Sequence, residues 1–154
     1  MEQPEYNLFE RRKIESEYLP LYDLTGLGTT IWSPLASGVL TNKYATGVPS
    51  DSRMNLPGYE WLKDQWQSEA GRKKLKTVAE LAELADAADL SLHHMALLWC
   101  LRNPRVSSVI LGASRVEQLE DNLAALDGRD KLTDDLVEAI EKVVANKPPS
   151  PERC

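Results

Sequence analysis

The chain has 154 residues, 42% of them hydrophobic, a formal net charge of −6 and an isoelectric point near 5.0, which suits one domain with one core. The acidic balance argues against general affinity for nucleic acid or anionic membranes, because both need a basic surface to displace counterions or meet lipid head groups. A phosphate-bearing ligand would therefore need a local basic pocket.

Helix and strand signals alternate along the chain, with no internal repeat. A first helix is expected over residues 15–25, with Pro20 close to its start and Gly26 as its stop. Residues 28–33, β-branched and aromatic between Gly28 and Pro34, read as a buried parallel strand. From Pro34 to Pro57 glycines, prolines, Asn42 and Asp51 appear without helical periodicity, and connections this long are usually functional or disordered. Tyr59, Leu62 and Trp66 suggest a short helix. Leu75, Val78, Ala82 and Ala85 then mark the apolar stripe of a longer one that should stop near Asp89.

Ser91 can cap the next helix, over 92–101, which is apolar almost all round and so belongs between other layers. Asn103-Pro104 ends it, and residues 106–111 form the clearest strand of the chain. The strand runs into Gly112-Ala113-Ser114, where Ser114 and Glu117 have the spacing of a capping box, and Val116, Leu119, Leu123 and Leu126 carry the apolar face of the following helix. A last helix takes Thr133 as its cap and packs through Leu136, Ile140, Val143 and Val144. The domain covers 1–147. A disordered tail, 148–154, completes a proline-rich end that begins at Asn146.

Strands separated by helices imply parallel β/α units. Two clear strands are too few for such a sheet, because parallel strands need cover on both faces and partners on both edges.

No apolar run reaches the roughly 18 residues that span a bilayer, and the opening MEQPEYNLFERRK lacks the apolar core of a signal peptide. A cytoplasmic protein is expected. Cys100 and Cys154 suggest neither a disulfide framework nor a metal site. His93 and His94, the only histidines, lie on a helix with side chains about 100° apart, so one surface residue and one half-buried residue are expected rather than a metal-ligand pair.

The turn at Gly112-Ala113-Ser114, between a strand and a helix, is a plausible anion site because free N–H groups and the helix dipole point at it. Trp32-Ser33-Pro34-Leu35-Ala36-Ser37-Gly38 places an aromatic ring and a hydroxyl where a parallel strand ends, the side on which α/β barrels build their sites. Lys43 and Arg53 in the long loop are candidate phosphate contacts. No catalytic triad, carboxylate pair or metal cluster stands on its own.

The segments EQPEYN at 2–7, WSPLASG at 32–38, SR at 52–53, WCLRN at 99–103 and VSSVILGAS at 106–114, in that order, resemble the C-terminal half of the aldo-keto reductase family, above all the voltage-gated potassium channel beta-subunit group. The resemblance implies an α/β fold, the C-terminal part of a (β/α)8 TIM barrel holding a remnant of strand 6 and strands 7 and 8 with their helices. It implies NADP(H) across the strand ends, in contact with Gln3, Trp32, Ser33, Pro34, Leu35, Ala36, Ser37, Lys43, Arg53, Gly112, Ser114, Gln118, Asp121 and Asn122. Trp32 would stack on the nicotinamide, Lys43, Arg53, Ser114 and Gln118 would face phosphates, and Asn122 would face the adenine.

Three positions depart from the group's pattern: Asp51 for tyrosine, Ser37 for cysteine and Asp121 for glutamate. The family's catalytic tyrosine and its aspartate and lysine partners belong to earlier strands, and Tyr6, Tyr18, Tyr22, Tyr44 and Tyr59 do not match that motif, so no catalytic residue is expected here. Met1 falls just before the sixth-strand motif, as an internal start or an incomplete gene would place it. By resemblance the partners are channel subunits or full-length homologues, with a carbonyl substrate in the complete fold, and the incomplete sheet favours self-association. A non-catalytic cofactor- or channel-binding module, or a fragment without function, are the alternatives.

Overall fold

The computed structural model describes residues 1–150. One π-helical turn, Lys13–Glu17, precedes α1, Leu19–Thr25. The single helix expected over 15–25 is thus split, because Pro20 has no N–H to give to the preceding turn and is tolerated only in the first turn of a helix. Gly26 closes α1 with a φ of 64°, its N–H donating to the Tyr22 carbonyl.

β1, Thr29–Ile31, pairs in parallel with β2, Val106–Val109, setting Thr29 opposite Val106 and Ile31 opposite Val109. Both strands are shorter than the 28–33 and 106–111 expected. A third extended segment comes from the start of the chain, where Glu2 bridges Thr29 and Glu5 bridges Trp32, again in parallel. Its ladder consists of Glu2 N–H to Gly28 O at 3.1 Å, Thr30 N–H to Glu2 O at 3.0 Å, Trp32 N–H to Pro4 O at 3.1 Å and Tyr6 N–H to Trp32 O at 3.2 Å. β1 is therefore the central strand, with Thr29 and Ile31 fully buried. β2 pairs on one side only among the described residues, and its Ser107 and Ser108 are exposed.

Between the strands come α2 (Glu60–Gln67), α3 (Glu69–Ala87) and α4 (Leu92–Arg102). α3 buries Val78, Leu81 and Ala85 and stops where expected. Asp89 turns to a φ of 53°, its N–H bonds Asp86 O at 3.0 Å, and Leu90 N–H bonds Ala85 O at 2.9 Å, the paired bonds of a Schellman ending. α4 is buried along almost its whole length, packed among α3, β2, α5 (Val116–Ala124) and the 3-10 stretch Ala125–Lys131. That stretch approaches so closely that a Cβ on Gly128 would come within 2.6 Å of Leu90 Cδ2. α6, Asp134–Val144, is capped by Thr133 as expected and lies on α3.

Two expectations fail at α5. The helix starts one residue later than a Ser114 cap requires, so Arg115 is the N-cap residue and Glu117 closes no capping box. Gln118, at the third helical position, instead reaches back with Oε1 to accept the Ser114 N–H at 2.9 Å and the Ser114 hydroxyl at 3.1 Å. The apolar face is uncovered as well, with Val116 66%, Leu119 42%, Leu123 52% and Leu126 43% exposed. The helix turns its other side, with Asn122, towards the interior.

The interior holds one buried ionic group. Arg11, 5% exposed, forks onto Glu15 through Nε at 2.9 Å and Nη2 at 2.7 Å, and reaches Glu141 Oε2 of α6 through Nη1 at 2.8 Å. Its guanidinium carbon lies 5.0 Å from the centre of the Trp99 ring, which stacks on Tyr6 at 5.1 Å. Arg11 also donates to Asn146 Oδ1 at 3.1 Å, and Asn146 Nδ2 donates to Leu8 O at 2.9 Å. The expected disordered end is therefore tied down at Asn146 and again at Pro149, whose carbonyl accepts from the Ser16 hydroxyl at 2.9 Å. Its last four residues lie outside the described residues.

Removing one member of a buried ion pair strands the others, at about 3–5 kcal/mol. Arg11→Ala is expected to lower the free energy of urea unfolding by that amount, and Glu141→Gln by distinctly less, because Glu15 still holds two of the guanidinium nitrogens.

Candidate functional site

Because the three extended segments run in parallel, Asn7, Ser33 and Gly112 leave the sheet at the same end, where β/α folds collect their ligands. Trp32 stands at that end of β1 with 45% of its surface exposed. The chain then enters a run of left-handed backbone: Ser33 at φ 56°, Ala36 at 48°, Ser37 at 58° and Gly38 at 89°. Only glycine adopts that region freely; for the other three it costs on the order of 1 kcal/mol or more each.

Asn7 helps to hold the run in place. Buried to 1% exposure, it donates from Nδ2 to Ser33 O at 3.0 Å, while its Oδ1 accepts the Phe9 N–H at 2.9 Å and the Glu10 N–H at 3.0 Å. Farther along, Ala36 N–H returns to Ser33 O at 3.0 Å and the Thr41 hydroxyl to Gly38 O at 2.8 Å. Pro34 and Ala36 are buried, and Leu35 and Ser37 are half-buried.

Lys43 folds back over this loop, so close that a Cβ on Gly38 would meet its Cε and Nζ at 2.9 Å. Its ammonium is pushed below the ordinary lysine range, first by partial burial and then by the charges of Arg53 and Arg115, against an opposite pull from Asp51. Lys43, Arg53 and Arg115 thus form a cationic cluster in an acidic chain. None of them has an ion-pair partner among the described residues. Arg53 rests against Tyr59, its guanidinium carbon 6.0 Å from the ring centre. Arg115 was not foreseen from sequence. A signal exists, however, since a cation beside a helix N-terminus opposes the helix dipole and calls for a compensating anion.

Gly112 and Ser114 are exposed at the end of β2, Ser114 held by Gln118. The charge of Arg115, next to Ser114, acts on Lys43, though less than burial and Arg53 do. Gln3 is exposed on the outer segment. At the far end of α5, Asn122 is buried and Asp121 is already engaged. Its carboxylate meets His93 Nε2 at 2.7 Å and His94 Nε2 at 3.1 Å, and its carbonyl meets His94 Nε2 at 2.7 Å.

The histidines were expected to diverge, one on the surface and one half-buried. Both are half-buried and converge, because side-chain rotation outweighs the angular offset of their helix positions. Burial, and next the neighbouring His94, push the His93 imidazole below the ordinary histidine range.

Other reactive groups are locked in the interior. The Tyr6 hydroxyl donates to Glu15 at 2.7 Å and accepts from Asn103 Nδ2 at 3.1 Å, and burial, reinforced by Glu15, drives its acidity well below that of a free phenol. Cys100 is fully buried, which likewise pushes its thiol up. A depression of about 500 Å³ lined by Tyr44, Val48, Met54, Trp66 and Arg72 lies under the long loop, away from the strand ends. The candidate site itself is identified by its cationic groups and strained backbone.

Residues 1–145 match the model of the aldo/keto reductase family. Over 149 residues, 96% of this chain, the sequence is 50% identical to a protein of rice, Oryza sativa subsp. japonica, described as a probable voltage-gated potassium channel subunit beta. The chain spans 44% of that relative's length. An α/β chain with a small parallel sheet, many helices and this extent of similarity belongs to the aldo/keto reductase family.

Proposed function

We propose that this chain is the phosphate-holding part of an NADP(H) site, in an aldo-keto reductase barrel completed by strands that lie outside it. The observation that carries this reading is the unpaired cluster of Lys43, Arg53 and Arg115 beside strained backbone at the sheet's C-terminal end. A polyphosphate fits it, since bound anionic oxygens would offset both the partial burial and the neighbouring positive charges that depress Lys43. Charge-assisted hydrogen bonds of this kind contribute about 1.5–3 kcal/mol each, and a helix N-terminus adds about 0.3–1.

Lys43, Arg53, Arg115 and Ser114 would hold phosphates, with Gln118 orienting Ser114. Trp32 would offer an exposed ring for stacking, and Gln3 and Ser33 polar groups beside it. When bound, the dinucleotide supplies hydride exchange with a carbonyl carbon. Residues 34–37 fit less directly, as rigid floor more than as polar partners. At the adenine end Asn122 and Asp121 would have to give up burial or histidine contacts, so recognition should rest mainly on the phosphates.

Among the described residues we read none as a positioned donor of the proton that carbonyl reduction needs. Tyr6 is closed into a hydrogen-bond network, and without a positioned acid no group stabilises the developing oxyanion. We therefore read the chain as an NADP-dependent oxidoreductase in family but not in activity when alone. A second reading, a docking module for a full-length homologue or a channel subunit in the cytoplasm, is favoured by the exposed apolar face of α5.

Two measurements bear on this. In the isolated chain, highly purified, 4-nitrobenzaldehyde should produce no steady NADPH oxidation; reproducible turnover would refute the absence of an acid. In a barrel completed with the missing strands, fluorescence titration should show NADPH bound more tightly than NADH, and Arg53→Ala should weaken NADPH about tenfold, near the low end of the loss of one charged hydrogen bond. Equal affinities that Arg53→Ala leaves unchanged would overturn the assignment.

A further inference from the structure

His93, His94 and Asp121 meet outside the cationic cluster, and nothing in the proposed function uses their convergence. Two neighbouring residues of α4 turn their imidazoles onto one carboxylate of α5, with ring centres 4.4 Å apart. A ring nitrogen of each histidine and a carboxylate oxygen of Asp121 all lie within 4.8 Å of one another. We propose that these three side chains form a binding site for a transition-metal dication of the zinc type.

The donor set supports that chemistry. Two neutral imidazole nitrogens with one carboxylate oxygen are ligands of intermediate softness that suit Zn²⁺ and the neighbouring divalent metals, whereas magnesium and calcium prefer oxygens alone. Zinc–nitrogen and zinc–oxygen bonds of about 2.0–2.2 Å set tetrahedral ligand atoms roughly 3.3–3.5 Å apart. His93 Nε2 is 2.7 Å from Asp121 Oδ2, and His94 Nε2 is 3.1 Å from Oδ1. Both rings are therefore already held against the carboxylate, and a metal ion would take the place of the two hydrogen bonds once each imidazole carries its proton on Nδ1. His94 Nε2 also lies 2.7 Å from the Asp121 carbonyl, a bond that metal binding would break or convert into a further oxygen ligand.

The site is open on one side and supported on the other. The histidine side chains are 18% and 19% exposed and that of Asp121 57%, so the rings are held by packing while the carboxylate admits solvent. Three protein ligands leave a coordination position for water. Because the ligands come from α4 and α5, the ion would clamp α5, whose apolar face is uncovered, onto the core helix.

The two imidazoles are the only ones in the chain, so reagents selective for histidine report on this site without any mutation. On a Cys154→Ser background, which removes the terminal thiol as a competing ligand, titration calorimetry with ZnCl₂ should give one site per chain in the micromolar range. Zinc should also protect both histidines from diethyl pyrocarbonate, followed at 240 nm in the otherwise unmutated chain. His94→Gln and Asp121→Asn should each weaken zinc at least tenfold, and MgCl₂ should neither bind nor protect. A hydrogen-bonded clamp alone would show no stoichiometric zinc binding and no protection, whether or not the variants are less stable. That result, or zinc binding that both variants leave unchanged, overturns the proposal.

Discussion

A parallel β-strand satisfies its backbone only when another strand lies along each edge, and this sheet meets the requirement for one strand alone. β1 has the opening segment on one side and β2 on the other, and its Thr29 and Ile31 are fully buried. Ile110 donates its N–H to Ile31 O at 2.8 Å, so by the alternation of N–H groups along a strand that of Val109 faces away from β1, while the extra residue Ser107 breaks the alternation between the Thr29 and Thr30 pairings. In β/α barrels such edges are removed by closure. The same opening accords with the uncovered apolar residues of α5.

What the chain does possess is a firm anchorage for the end of β1. Asn7 follows directly on the opening segment and ends on the Ser33 carbonyl, while Tyr6, Trp99, Arg11, Glu15 and Glu141 interlock behind it. Backbone strain in the residues after β1 persists only if its surroundings over-determine it, and this network does so at its first residue.

Periodicity and punctuation made the helices legible. Gly26 stopped α1, Asp89 marked the end of α3, and the evenly apolar composition of α4 announced its burial. Short strands were readable as existing but not in length, since pairing, not propensity, decides where a strand ends. The third extended segment was invisible to strand signals: Gln3-Pro4-Glu5 has neither β-branched residues nor alternation, and it was placed only by family resemblance. α5 misled because an apolar stripe says that a face needs cover without saying that the cover lies in this chain. Convergence across distance stayed out of reach as well: Arg115 near Lys43, both histidines on Asp121, and Arg11 on Glu141, more than a hundred positions away.

Amide hydrogen exchange at the edge of β2 addresses the incomplete sheet most directly. If this chain is one part of a larger parallel sheet, the Val109 amide should exchange fast in the chain alone while that of Ile110, bonded to Ile31 O, is slower. Co-expression with a polypeptide covering the part of the rice relative that the chain does not match should then slow Val109 by orders of magnitude. Slow exchange of that amide in a monomeric isolated chain, or fast exchange that survives formation of the complex, would contradict the incomplete sheet.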